Sequence, residues 1–182
     1  MCAAPMALIT VGGQRAGGDV LGQWADGLRR QKGKPECGLL RFAFYGRVST
    51  EDWQDPVTSR ARQLQQAVML VAGRGVIVAV FFDAGQSRVL PWARRPQSAA
   101  LVAQLADPDR GWDAIVIREY ERAFYGSQYA LMAPLFEHYG IQLWMPEVGG
   151  RVDWHAEDHE QTMLALGLSS KREITRTPGL LT

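Results

Sequence analysis

The chain has 182 residues, of which 47% are hydrophobic, and its 20 Lys and Arg almost balance its 19 Asp and Glu. This length suits one domain of about 130 to 150 residues plus a tail, and the near-neutral charge excludes the strongly basic surface of a typical nucleic-acid-binding domain. The two cysteines, Cys2 and Cys37, form neither a CxxC pair nor a disulfide-dense pattern, which predicts a reducing, cytoplasmic setting and no structural zinc.

The first part of the chain is predicted to be an N-terminal extension. Residues 1–39 are rich in Gly, Ala and basic residues, and we expect them to be partly disordered or to form one amphipathic helix between residues 19 and 33. Val20, Trp24 and Leu28 would share one face of that helix. No run of about 18 apolar residues occurs in the sequence, so no membrane span is predicted.

From residue 40 onward, short apolar runs alternate with helical patterns. The predicted strands are 40–48, 76–82, 114–117 and 141–145, and the predicted helices are 58–73, 95–106, 127–139 and 156–177. This alternation predicts an α/β fold with a mostly parallel sheet of four to five strands and helices on both faces. We expect residues 40–155 to form the domain, 156–177 to begin a long helix, and 178–182 to be a tail, since Pro178 and Gly179 interrupt the helical pattern.

Polar side chains gather where the predicted strands end. Ser49 follows the first strand, Asp83 and Ser87 lie at the end of the second, and Glu121 with Arg122 follows the third. In open parallel sheets, ligands bind at the carboxyl ends of the strands. The sequence therefore predicts a functional site at this edge of the sheet.

Hydroxyl groups and guanidiniums dominate this edge. The two-residue period of a strand makes Tyr45, Arg47 and Ser49 project together. Arg95 begins the next helix just before Pro96, a residue that the first helical turn tolerates well. A guanidinium binds phosphate oxygens with paired donors and stays charged at any working pH. A serine hydroxyl among several such groups, without nearby histidines or metal ligands, predicts attack on a phosphodiester.

Four segments in this order resemble the catalytic domain of serine recombinases, the resolvase and invertase family that includes the large serine integrases. The segments are Tyr45-Gly46-Arg47-Val48-Ser49-Thr50, Phe82-Asp83-Ala84-Gly85-Gln86-Ser87, Arg95-Pro96 and Glu121-Arg122, and the resemblance spans about residues 41–177. It implies a resolvase-like fold with Ser49 as the nucleophile. It further implies that three arginines surround the scissile phosphate, namely Arg47, Arg95 and Arg122. Four side chains would support them: Tyr45, Asp83, Ser87 and Glu121.

Two positions depart from the family pattern. Tyr125 stands where the family usually carries a further arginine, and Trp53, with Gln54 one residue later, stands where it tends to carry glutamine. Losing one charge-assisted contact at an active site can cost about 3 kcal/mol, a factor of 100 or more in rate. Arg94 or Arg118 could substitute for the missing charge.

The resemblance also implies partners and the absence of cofactors. A phosphoserine link retains the energy of the DNA ester, so the reaction is expected to need neither metal nor ATP. The helix at 156–177 corresponds to the start of the family's dimerisation helix, which implies a homodimer or tetramer. We expect DNA to be the substrate and the binding to be weak without a separate DNA-binding region, because the chain is nearly neutral.

Other interpretations of the same residues stay open at this point. The chain could be a catalytically inactive, truncated recombinase that associates with a longer relative, or a small phosphate-binding α/β protein with no DNA role. His155 and His159 have the spacing of two metal ligands on a helix, but an exposed polar helix start explains them better.

Overall fold

The computed structural model describes residues 38–49 and 55–175. The helix predicted between residues 19 and 33, the Trp53 and Gln54 positions and the predicted tail lie outside the described residues. The predicted domain boundaries stay predictions.

Five strands and five helices make up this part of the chain. The strands are β1 (Leu40–Val48), β2 (Gly75–Ala84), β3 (Ala114–Ile117), β4 (Gln142–Met145) and β5 (Gly150–Arg151). The helices are α1 (Pro56–Leu70), α2 (Pro96–Ala103), α3 (Tyr120–Ala123), α4 (Gln128–His138) and α5 (Glu157–Thr175), and two short 3-10 helices span Trp92–Arg94 and Pro146–Val148. Every strand and helix predicted beyond residue 40 is present close to its predicted bounds, whereas α3 and β5 were not predicted.

The strand order in the sheet is β2-β1-β3-β4-β5. The first four strands are parallel, and β5 pairs antiparallel with β4. The predicted mostly parallel sheet is therefore confirmed. As a consequence, the carboxyl ends of β1, β2 and β3 lie at one edge, where each is followed by a segment that carries predicted site residues.

The sheet is covered on both faces, as predicted. Phe42 and Phe44 of β1 pack with buried residues of α1 such as Leu64, whereas Ala43 and Tyr45 belong to a second buried cluster on the opposite face. Because β1 is buried on both sides, its sequence is a nearly continuous apolar run rather than an alternating one.

Local capping explains why α1 begins earlier than predicted. The Asp55 carboxylate accepts hydrogen bonds from the Thr58 amide at 2.9 Å and the Thr58 hydroxyl at 2.8 Å, and Pro56 occupies the first turn. Both are strong signals for a helix start. Pro96 plays the same part at the start of α2.

Helix α5 approaches the segment between α3 and α4 very closely at Gly167. A Cβ atom there would lie only 2.4 Å from the Gly126 carbonyl oxygen. Ser170, one turn further along, accepts a hydrogen bond from the Gly126 amide at 2.9 Å. These contacts attach α5 to the segment between α3 and α4. Among the residues that the structure describes, no helix has the length and apolar character to cross a membrane.

Candidate active site

Arg47 joins three segments at the carboxyl edge of the sheet. Its side chain is buried at the end of β1, where Nη1 donates to the Gln86 carbonyl oxygen at 2.6 Å and Nη2 to the Glu121 carbonyl oxygen at 3.4 Å. The end of β1, the loop after β2 and helix α3 therefore meet around one guanidinium. Ser49 lies two residues after Arg47, directly beyond β1, and is half-buried.

Helix α1 holds the main chain beside this guanidinium. Gln63 is buried, and its Nε2 donates to the Arg47 carbonyl oxygen and to the Ser59 hydroxyl, both at 3.0 Å. Gly46 makes this contact possible, because a Cβ atom there would lie 2.8 Å from Gln63 Oε1 and 2.7 Å from the Phe44 ring. The backbone that leads to Ser49 is thus anchored from α1.

Asp83, at the end of β2, organises the start of α2. Its buried carboxylate accepts hydrogen bonds from the Gln97 amide at 2.8 Å and the Ser98 amide at 3.1 Å, and from the Tyr45 hydroxyl at 2.9 Å. A carboxylate at a helix N-terminus satisfies otherwise unpaired amides and is favoured by the helix dipole. Asp83 therefore ties β2 and β1 to α2.

Arg95 lies in the interior between α2 and α3. Nη1 donates to the Tyr45 hydroxyl at 3.0 Å, and Nη2 donates to the Ala123 carbonyl oxygen at 2.8 Å and to Gln128 Oε1 at 3.1 Å. The guanidinium carbon lies 5.5 Å from the centre of the Trp92 ring and 5.8 Å from that of Tyr45. These contacts are of the cation–π type and add to the hydrogen bonds.

Burial also shifts the ionisation of this interior cluster. Burial raises the pKa of the Tyr45 hydroxyl well above its ordinary value, so this group stays protonated and donates to Asp83. Burial lowers the pKa of Arg95, and nearby Tyr45 and Asp83 counteract that effect. The cluster is thus a paired charge system, which a buried guanidinium requires.

The structure departs from the predicted arrangement at Arg95. The sequence predicted that Arg47, Arg95 and Arg122 share one phosphate, but the Arg95 side chain has no exposed surface. Its aromatic neighbours cover it, and its terminal nitrogens donate to the acceptors named above. The predicted contact of Arg95 with the phosphate therefore stays a prediction.

Two ion pairs lie on and around α3. Arg88 Nη1 is 3.0 Å from Glu121 Oε2, and Arg122 Nε is 3.4 Å from Glu119 Oε2. The Arg88 and Arg122 side chains are 19% and 18% exposed, so both guanidiniums lie nearer the surface than those of Arg47 and Arg95. Exposure of this kind leaves room for an exchange of partners with an incoming anion.

The other predicted residues lie around this edge. Ser87 is exposed, and its hydroxyl accepts a hydrogen bond from the Val89 amide at 3.3 Å. Tyr125 is half-buried just after α3. Arg94 is exposed at the end of the first 3-10 helix, and Arg118 forms an ion pair with Glu119. The catalytic roles assigned to these residues stay predictions.

Sequence reasoning missed three polar residues that shape the site. Gln63 anchors Arg47, Arg88 pairs with Glu121, and Gln128 binds Arg95 as well as the loop after β2. Gln128 Nε2 lies 3.3, 3.3 and 3.2 Å from the carbonyl oxygens of Arg88, Val89 and Leu90. The rule that ligands bind at the carboxyl ends of parallel strands would have included Arg88, which lies one residue beyond Ser87.

The two histidines with ligand-like spacing have other contacts. His159 Nδ1 accepts a hydrogen bond from the Asp153 amide at 2.9 Å, and His155 Nε2 lies 3.6 Å from Glu137 Oε1. Across residues 38–49 and 55–175, no three His, Cys, Asp or Glu side chains are grouped in a way that could hold a metal ion.

Comparison with solved structures identifies the fold. The N-terminal catalytic domain of TP901-1 integrase is similar, with a TM-score of 0.55 and 18% sequence identity over 74% of this chain and 98% of that domain. The chain has the fold of a serine recombinase catalytic domain. A resolvase family site-specific recombinase from Streptococcus pneumoniae is also similar, with a TM-score of 0.50 and 16% identity over 75% of this chain and 91% of the other.

A third similar structure is the C-terminal catalytic domain of ISC1926 TnpA, an IS607-like serine recombinase. Its TM-score is 0.47, with 19% identity over 71% of this chain and 80% of that one. No protein-family model matches the chain, and no curated protein matches it in sequence. The two structures described first, with TM-scores of 0.55 and 0.50, confirm the predicted resolvase-like fold.

Proposed function

We propose that this chain is the catalytic domain of a site-specific DNA recombinase, with Ser49 as the nucleophile. The observation that carries the proposal is the position of the Arg47 guanidinium. Arg47 lies two residues before Ser49, and its guanidinium donates hydrogen bonds to the carbonyl oxygens of Gln86 and Glu121. It joins the segment that carries the serine to two of the other segments that carry predicted site residues. The serine recombinase fold supports the same function.

The proposed reaction exchanges one phosphate ester for another. The Ser49 hydroxyl attacks the phosphorus, and the bond from phosphorus to one deoxyribose oxygen breaks. The serine loses its proton, and the departing DNA end gains one as it becomes a free hydroxyl. The other DNA end stays attached to Ser49 as a phosphoserine, so a new DNA hydroxyl can reverse the step without ATP.

Charge stabilisation is the main contribution we assign to the protein. Negative charge grows on the non-bridging oxygens during attack, and preorganised guanidiniums stabilise it. We assign this role to Arg47 and Arg122. Tyr45, Asp83 and Arg95 act from the interior as positioning residues, because their bonds connect the ends of β1 and β2 to α2 and α3.

We further propose that α5 pairs with a second copy of the chain. Leu164 and Leu168 lie one turn apart on this helix and are 55% and 59% exposed. Large apolar side chains in such a stripe are typical of helix pairing. Sedimentation of the wild type against Leu168→Asp tests this assembly, with a monomeric variant as the expected result and equal mass as the contrary one.

A second candidate function is that of an inactive subunit which pairs with an active recombinase. The complete burial of Arg95 and the uncharged Tyr125 favour it, because both reduce the positive charge that faces a phosphate. Such a subunit would still form oligomers but would never become linked to DNA. Covalent chemistry therefore separates the two candidates.

The decisive experiment traps the phosphoserine. The full chain is incubated at low salt with a pool of randomised duplexes that carry a nick, so that a cleaved end diffuses away and the link accumulates. We expect a covalent complex whose mass spectrum places the DNA on Ser49. Ser49→Ala should give none, whereas Ser169→Ala, an exposed serine on α5, should behave as wild type. Equal, null results for the wild type and Ser49→Ala would refute the enzyme.

A further inference from the structure

Few guanidiniums at the candidate site are accessible, since even the Arg47 side chain is only 3% exposed. Arg95 has no exposed surface, and position 125 carries an uncharged phenol. Each missing charge-assisted contact to the reacting phosphate is expected to reduce the rate by about 100-fold. A further cation at the carboxyl edge of the sheet would offset this loss.

Arg88 is such a cation, and it contacts the same residue of α3 as Arg47 does. It lies in the loop after β2, and Nη1 is 3.0 Å from Glu121 Oε2. Arg47 Nη2 donates to the main-chain carbonyl of the same Glu121 at 3.4 Å. Both guanidiniums therefore contact one residue of α3, and Arg122 is the next residue along that helix.

The loop that carries Arg88 is held in place at its backbone. Gln128 Nε2 lies within 3.3 Å of the carbonyl oxygens of Arg88, Val89 and Leu90. Gln128 also accepts from Arg95, which links this loop to the interior cluster. The backbone of Arg88 is thus anchored, while its side chain remains 19% exposed.

We propose that Arg88 is a catalytic residue that binds a non-bridging oxygen of the scissile phosphate. This inference rests on the proposed function. A guanidinium has five N–H donors in a planar fork, so it can bind a phosphate while it keeps a contact with Glu121. Arg88 then supplies the charge that Tyr125 lacks, a role for which Arg94 and Arg118 were the candidates from sequence.

The alternative is that Arg88 only forms a structural ion pair with Glu121. A pair with exposed fractions of 19% and 33% contributes little to stability, because water screens it. The two roles differ in what they depend on. If Arg88 binds the phosphate, its charge matters only when the substrate carries a charge at the reacting phosphorus. If Arg88 only forms a structural ion pair, its charge matters with every substrate.

The test compares Arg88→Gln with Arg74→Gln, a matched control at an exposed arginine beside the start of β2, on the opposite edge of the sheet. A duplex selected from the random pool by wild-type covalent capture is made with a normal phosphodiester or an uncharged methylphosphonate at the cleaved position. We expect Arg88→Gln to slow covalent capture by about 100-fold on the phosphodiester and by less than about 10-fold on the methylphosphonate. Arg88→Lys, which keeps the charge, should be intermediate.

A second measurement does not depend on cleavage. In the Ser49→Ala background, the slope of log binding constant against log salt concentration should fall by about 0.9 when Arg88→Gln removes one phosphate contact. An unchanged slope, an unchanged rate, or an equal loss on both substrates would overturn the assignment of Arg88. Failure of the wild type to form any covalent complex would instead refute the proposed function, and this inference with it.

Discussion

Arg95 and Tyr45 meet inside the protein, where Arg95 Nη1 donates to the Tyr45 hydroxyl at 3.0 Å. The same hydroxyl donates to Asp83 at 2.9 Å and therefore lies between a buried cation and a buried anion. The Arg95 guanidinium and the Asp83 carboxylate are therefore connected by two hydrogen bonds through the neutral Tyr45 hydroxyl. Pairing of this kind is what offsets the cost of burying charged groups.

The first prediction follows from this bridge. Tyr45→Phe keeps the ring but removes the hydroxyl, so Asp83 and Arg95 each lose a hydrogen bond in the interior. We expect the free energy of unfolding to fall by about 1 to 3 kcal/mol, the usual cost of leaving buried polar groups unpaired. Urea denaturation measures it. Tyr139→Phe, at a half-buried tyrosine after α4, should change stability by less than about 0.5 kcal/mol. Equal stability of the two variants would contradict the bridge.

Much of the fold was predictable because it follows from local periodicity and parallel topology. The apolar run at 40–48 was predicted to be a buried strand, and it forms β1, which is buried on both faces. The sequence also predicted that Arg47 and Glu121 lie close together, and they do. This was predictable because the carboxyl ends of parallel strands meet at one edge of the sheet. By contrast, α3 has four residues and β5 has two, too few to show any period.

The burial of Arg95 was not predictable from its neighbours in sequence. Arginine before a helix-starting proline is usually exposed, and the local pattern contains no sign of a core position. Its environment comes from Tyr45, Ala123 and Gln128, which lie in three separate elements. Only the tertiary arrangement supplies the acceptors that make a buried guanidinium tolerable.

The second prediction concerns the anchor on α1. Gln63→Ala removes the hydrogen bond to the Arg47 carbonyl oxygen, so the backbone leading to Ser49 becomes less constrained. We expect a loss of about 1 to 2 kcal/mol in stability. We also expect covalent capture of DNA to slow by about 10-fold or more, because small misplacements of reacting groups are costly.

Gln66→Ala is the matched control, since Gln66 lies on the same helix with an exposed side chain. Urea denaturation and the covalent-capture rate are measured for both variants. If Gln63→Ala were as stable and as fast as Gln66→Ala, the anchor would have no effect on the site.

The third prediction reverses the usual effect of a helical glycine. Replacing glycine with alanine inside a helix normally stabilises it by about 1 kcal/mol. At Gly167 the new methyl group would lie 2.4 Å from the Gly126 carbonyl oxygen and 3.1 Å from the Tyr120 hydroxyl. We therefore expect Gly167→Ala to destabilise the protein by about 1 to 3 kcal/mol through overpacking. Thermal unfolding alongside Ser169→Ala, an exposed position on the same helix, checks the sign; stabilisation by Gly167→Ala would disprove the close contact.

The last prediction concerns Glu147, in the 3-10 helix after β4. Its Oε1 accepts a hydrogen bond from the Tyr120 amide at 2.6 Å, and so holds the start of α3. Within the part of the chain that the structure describes, its buried Oε2 has no hydrogen-bond partner. Burial raises the pKa of Glu147; the Tyr120 amide and Arg118 act in the opposite direction, and Glu119 adds to the rise.

A raised folded-state pKa means that the folded protein binds this proton more tightly than the unfolded chain does. Wild-type stability therefore gains from this group as the pH falls through the folded pKa, and loses that gain as the pH rises. Glu147→Gln keeps an acceptor for Tyr120 without a buried charge, so at pH 7 it should be at least as stable as wild type. Its advantage should shrink toward pH 4. Glu147→Ala loses the acceptor and should be about 1 to 2 kcal/mol less stable. Urea denaturation at both pH values measures all three proteins, and a wild type that exceeds Glu147→Gln at pH 7 but not at pH 4 would show that the charged carboxylate stabilises α3.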